Sequence, residues 1–340
     1  MMNQNWKRRG SFVFLLLLSM GSLMGCSGGT EAANTEKKEK IIFADVGWDS
    51  IKLHNAVAGL IAETAFDLAW EEISGTTPII QEALKKGDVD VHMEIWTSNL
   101  PDYEKDRDAG AFLELGLNFG DNAQGLYVPR YVIEGDAARG IEASAPDLKT
   151  VADLKKYKEV FVDEEEKDKG RIYGAISGWE VDQIMFKKVA YYGLDTIYNY
   201  FRPGSQAAMD GVLSSAYEKG EPVVGYYWEP TWLMGKYDFV LLEDAPYDPA
   251  TYPQGATECP SVPVVIGCST SFAKTQPAYT EFLKKYQTSS KLTAEGLAYM
   301  QTTGSNYQET AKWFLQEHDE LLEQWLTSDQ AQKVRTALSK

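Results

Sequence analysis

From about Ile41 onward, short apolar runs alternate with stretches in which apolar residues recur every three or four positions. This is the pattern of strands and helices taking turns along a chain. Residues 41–46 predict a strand, and Asp49 or Ser50 can cap the helix that then runs to about Ala65. Residues 66–73 predict a second strand, 78–86 a helix stopped by Gly87, and 89–96 an alternating strand. Residues 101–110 start another helix, and 125–133 read as a strand passing into a second lobe. Further on, 151–158 are helical, 171–176 form a strand, and 181–193 form a long helix. Ser205 caps a helix to about Lys219, and 222–228 and 239–242 are strands. The Pro-, Gly- and Tyr-rich stretch 244–255 is a return connection. Residues 262–266 then rejoin the first lobe, ahead of a helical tail holding Trp313 and Trp325. The alternation predicts an α/β fold with parallel strands. No internal repeat is visible in the sequence.

The first residues follow a different pattern. Lys7, Arg8 and Arg9 precede an apolar run, 12–20, that is far too short to span a membrane. Leu23-Met24-Gly25-Cys26 follows, similar to a bacterial lipobox, so residues 1–25 read as a lipoprotein signal peptide with Cys26 as the lipidated first residue. A secretory signal that happens to end near a cysteine is the plainer alternative. Two acyl chains on Cys26 anchor a protein firmly to the cell membrane, facing outward. Residues 26–40 are small, polar and charged, and read as a tether.

The remaining 300 or so residues allow two lobes of ordinary size. The expected division is 41–131 plus 246–340 for the first and 132–245 for the second. Removing Lys7, Arg8 and Arg9 takes the formal charge from −17 to −20. So acidic a chain argues against nucleic acid, whose capture depends on basic residues. Cys259 and Cys268 are either an extracytoplasmic disulfide or two buried thiols. His54, His92 and His318 are scattered and read as surface or packing residues, so neither a metal nor a cofactor is expected.

Four tryptophans stand where a predicted strand gives out into a loop: Trp48, Trp96, Trp179 and Trp228. In open α/β sheets, ligands bind beyond the carboxyl ends of the strands. Indole faces gathered there suit a cation with no N–H to donate, held through the ring quadrupole. A single strand-end tryptophan is more often core. Four of them, two on each predicted lobe, point instead to a quaternary ammonium site in the cleft. Trp70, Trp232, Trp313 and Trp325 are taken as structural. Asp49, Ser50 and Glu180 border the box, and either start helices or face the polar end of a ligand. There is no nucleophile elbow, P-loop, metal spacing or dinucleotide fingerprint, so no enzyme is expected.

The whole mature chain resembles the solute-binding proteins of glycine betaine/choline ABC importers. The matching stretches are Asp45-Val46-Gly47-Trp48, Gly87-Asp88-Val89-Asp90-Val91 with Trp96, Arg171-Ile172-Tyr173-Gly174 with Gly178-Trp179, Trp228-Glu229-Pro230 with Lys236-Tyr237-Asp238, and 252–260. The resemblance implies a two-lobe type II periplasmic-binding-protein fold with a ligand cleft between the lobes. It also implies a monomer that delivers its ligand to an ABC permease, and it maps the family's ligand box onto Trp48, Trp96, Trp179 and Trp228. Some betaine binders share tryptophan at position 179, whereas choline-type members put a polar residue there. Thr231 stands where relatives often have histidine. The expected ligand is choline or glycine betaine. Carnitine, another betaine, or a carbohydrate stacked on the indoles are the alternatives.

Overall fold

The computed structural model describes residues 39–339. The leader, Cys26 and nearly all of the tether lie outside them. In chain order the regular elements are β1 (Lys40–Asp45), α1 (Asp49–Ala65), β2 (Ala69–Ser74), α2 (Thr77–Lys86), β3 (Val91–Trp96), α3 (Tyr103–Asp108), β4 (Leu113–Phe119) and β5 (Gln124–Pro129). There follow α4 (Arg130–Glu134), β6 (Gly170–Tyr173), α5 (Glu180–Tyr191), β7 (Tyr198–Phe201), α6 (Gln206–Lys219), β8 (Gly225–Trp228), α7 (Trp232–Lys236) and β9 (Phe239–Leu241). The last are β10 (Val264–Cys268), α8 (Thr270–Thr275), α9 (Pro277–Leu283), α10 (Ser290–Thr303), α11 (Tyr307–Glu317), α12 (Glu320–Trp325) and α13 (Ser328–Leu338). Among the described residues, no helix is long and apolar enough to cross a membrane.

Two five-stranded sheets organise the chain, in the orders β2-β1-β3-β10-β4 and β7-β6-β8-β5-β9. Three strands of each are parallel, as expected from βαβ crossovers. The other two of each sheet run antiparallel to their neighbours. The sheets are therefore mixed, which corrects the expectation of parallel strands. The antiparallel strands are those on either side of the crossings, where the chain turns back into a sheet from outside it. Because β5 pairs in the second sheet, the first crossing lies between Phe119 and Gln124, earlier than the sequence suggested. β4 and β7 had no sequence expectation. Each is an outermost strand with much of its surface in water, where no sustained apolar run is required.

Local chemistry sets several boundaries. Pro78 lies in the first turn of α2, and Gly87 ends the helix in the left-handed conformation at φ 81°. Ser205 accepts the Ala208 N–H, capping α6. Gly59 in α1 faces Trp70 so closely that a Cβ there would lie 2.3 Å from the indole. The C-terminal helices α10, α11 and α13 pack back onto α1. Trp325 stacks on Tyr286 at 4.4 Å and Trp313 on Tyr299 at 4.1 Å, so both serve packing. The two crossings are tied to each other: Asn122 donates to the Val262 carbonyl and accepts the Val262 N–H. Cys259 and Cys268 are free thiols.

Candidate functional site

The two sheets repeat one construction at the ends of their parallel strands. β1 leads through Gly47, at φ 93°, to Trp48 in the N-cap position of α1. β6 leads through Gly178, at φ 96°, to Trp179 in the N-cap position of α5. The neighbouring strands β3 and β8 each end on a tryptophan, Trp96 and Trp228. The four expected indoles thus arise from equivalent positions in the two sheets. All are buried and all line one cavity between the sheets.

Their mutual geometry is that of walls meeting at corners. Trp179 stands at 89° to Trp48, with centroids 5.4 Å apart, and at 85° to Trp228, 5.0 Å apart. Trp228 is backed by Tyr226 and Tyr227 at 6.0 and 4.8 Å. Trp96 meets Phe119 edge-on at 6.0 Å. The Trp179 Nε1–H reaches across to the Val46 carbonyl at 3.1 Å, and Thr77 donates its N–H to Gly178 over the same distance. The cavity has a volume of about 40 Å³, room for a group larger than one water.

Beneath the indoles lies Glu94, fully buried, a residue for which the sequence raised no expectation. Its Oε2 accepts from Trp48 Nε1 at 2.6 Å, Ser50 Oγ at 3.1 Å and Trp96 Nε1 at 3.3 Å. Its other oxygen, Oε1, makes no hydrogen bond and lies 3.5 Å from His54 Nε2. Burial pushes the carboxyl up to about 7, against the pull of the Ser50, Trp48 and Trp96 donors. Burial likewise lowers His54 and His92 to about 3, so both stay neutral. The available signal for Glu94 was the strand period of two, which sets it on the same face as Trp96.

The three bordering residues separate. Glu180 lines the cavity, and burial raises its carboxyl above the usual range. Ser50 is buried and turned to Glu94. Asp49 is turned away from the cavity lining: its carboxylate accepts from Tyr307 at 2.7 Å, while its N–H donates to Gln206 of α6. Trp232 lies behind the site, donating to Asp210 at 3.0 Å, and Tyr227 donates to the same carboxylate at 2.6 Å. Burial raises Asp210 to about 6. Thr231 accepts the Met234 N–H and caps α7.

Two α/β lobes joined by two crossings, with an aromatic cavity at the carboxyl ends of both sets of parallel strands, define the type II class of extracytoplasmic solute-binding proteins. Residues 39–317 match the OpuAC family, the substrate-binding domain of ABC-type glycine betaine transport systems, and the chain belongs to that family. Proteins of this family bind small ligands, deliver them to an ABC permease, and are not enzymes. No curated protein matches the sequence. Among solved structures, a glycine betaine/L-proline-binding protein from Borrelia burgdorferi is 18% identical with a TM-score of 0.69, covering 87% of this chain and 100% of its own. An ABC-transporter choline-binding protein in complex with choline is 19% identical with a TM-score of 0.69, over 88% and 98%. Lactococcal OpuAC, closed on glycine betaine, is 18% identical with a TM-score of 0.66, over 85% and 100%. At these identities the likeness is one of fold.

Proposed function

We propose that the cavity captures a quaternary ammonium compound in a cage of Trp48, Trp96, Trp179 and Trp228, with choline preferred, glycine betaine second and carnitine third. The observation that carries this reading is the set of four buried indoles, drawn equally from two lobes and lining one space, with Trp179 perpendicular to both Trp48 and Trp228. Such a box suits a methylated cation, because ring faces attract positive charge and offer no acceptor for an N–H. Two solved relatives are described as complexes with choline and with glycine betaine, which supports the ligand class. The ranking within it follows from charge. Glu94 and Glu180 line the cavity, and no lysine or arginine is among its described lining residues. A net cation gains from both carboxyls, whereas the carboxylate of a betaine is left to the backbone amides at the start of α5. One chain supplies all four indoles, so the site is complete within a monomer. Cys26 carries the lipid that holds the chain beside its permease.

Calorimetry with choline, glycine betaine, carnitine and ethanolamine tests the reading. The trimethylammonium compounds bind, choline tightest, and ethanolamine binds far more weakly. Ethanolamine binding as tightly as choline would overturn the cage. Glycine betaine binding more than tenfold tighter than choline would overturn the ranking alone.

A further inference from the structure

We propose that Glu94 is a positioning residue of the tryptophan cage, aligning Trp48 and Trp96 through one carboxylate oxygen and supplying a counter-charge for the bound cation. This inference rests on the ligand class proposed above. A buried carboxylate requires either a cationic partner or enough donors to replace water. Oε2 has three donors from three places in the chain: the start of α1 (Trp48), its first turn (Ser50) and the end of β3 (Trp96). Both indoles contributed by the first lobe are therefore fixed by a single atom. Oε1 is left without a hydrogen bond in a residue that itself lines the cavity. Among the described residues its ion-pair partner is His54, which burial keeps neutral. A quaternary ammonium in the cage supplies the missing positive charge without competing for a hydrogen bond.

The arrangement links binding to a proton. With its carboxyl raised to about 7, Glu94 is largely protonated in the empty site below that pH. A cation overhead favours the carboxylate, so binding expels the proton. Affinity for a cation therefore rises with pH up to about 7 and levels off above it. The other groups facing Glu94 are accounted for. On α1, His54 is neutral, and on β3, His92 accepts the Glu94 N–H at 3.2 Å and is also neutral. Beyond His54, in the connection from α9 to α10, Tyr286 stays protonated because burial raises it far above its usual range. Glu180 faces the same cavity from α5. Asp210 also titrates in this range, but behind Tyr227 and Trp232. Substitution at position 94 separates its contribution from that of Glu94.

The test is the affinity of the mature chain for choline and for its uncharged isostere 3,3-dimethylbutanol between pH 5.5 and 8.5. Proton release is read from calorimetry in buffers of different ionisation enthalpy. Choline affinity falls by about tenfold or more from pH 8 to pH 5.5, tenfold per pH unit being the limit for one obligatory proton. Binding near pH 6.5 releases a proton, and the isostere shows neither effect. Glu94→Gln keeps an acceptor oxygen for the indoles and removes the charge. It flattens the rise of choline affinity on the approach to pH 7 and weakens choline about tenfold at pH 8. Choline bound tightly by the natural protein with no pH dependence and no proton release overturns the proposal and leaves the cage standing. A Glu94→Gln variant with the natural profile does the same. Failure of both choline and the isostere to bind at any pH overturns the cage and this inference together. If Glu94→Gln does not fold, the profile and proton count of the natural protein decide the matter.

Discussion

Three of the four indoles have two tasks, lining the cavity and placing the N–H on an acceptor. For Trp48 and Trp96 that acceptor is Glu94, and for Trp179 it is the Val46 carbonyl of the other lobe. A desolvated cation–aromatic contact is worth about 2 kcal/mol, more than tenfold in affinity. Trp179→Ala and Trp228→Ala therefore weaken choline binding by tenfold or more. Trp325→Ala, which removes a ring stacked on Tyr286 away from the cavity, lowers thermal stability and leaves affinity near the natural value. Equal affinities for the three variants, measured by tryptophan fluorescence or calorimetry, would remove the indoles from the site. The four cavity tryptophans were legible as a group because each ends a strand or opens a helix. Glu94 was not, because a glutamate in an alternating strand reads as a solvent-facing residue. Its burial comes from β3 being flanked by β1 and β10, and β10 is contributed by the far end of the chain.

At the scale of elements, the turn from strand to helix does the positioning. Gly47 and Gly178 both take positive φ, a conformation that costs other residues roughly 1–2 kcal/mol. Each delivers a tryptophan to the N-cap of a helix and into the cavity lining. Gly178 carries a further constraint, since a Cβ there would sit 2.7 Å from the Thr76 methyl, in the segment that meets it from the other lobe. Gly178→Ala therefore strains the turn and holds the lobes apart, with choline affinity lowered about tenfold and the melting temperature reduced. Gly193, at φ 60° with open space where its Cβ would be, is the control. Gly193→Ala lowers the melting temperature and leaves affinity unchanged. Comparable affinity losses in the two variants would mean that strain alone, without the lobe contact, accounts for the effect.

At the scale of the whole molecule, the two sheets share one strand order although the sequence shows no repeat. The cavity's four indoles come from equivalent positions on each side, so neither lobe holds all four. The lobes are joined by two crossings, clamped by Asn122 and Val262, about which they can close on a ligand. Small-angle scattering of the mature chain gives a smaller radius of gyration with saturating choline than without it. An unchanged radius at saturation, together with tight binding, would place the ligand on one lobe alone.

The alternation of strands and helices, the four strand-end tryptophans and the family resemblance are all written in the linear chain. These features are carried by neighbours along the chain: periodicity, capping residues, and glycine before tryptophan. Tertiary structure alone decided which strands turn antiparallel and that β5 belongs to the second sheet. It also turned Asp49 toward Tyr307, left Glu180 at the cavity, and buried Glu94 beneath two indoles. The reason is physical. A side chain's propensity is local, but its burial and its hydrogen-bond partners are set by segments that meet it only when the chain has folded. Trp48 and Trp96 lie 46 and 2 residues from Glu94, and His54 and Tyr286 are 232 residues apart, yet all belong to one buried network.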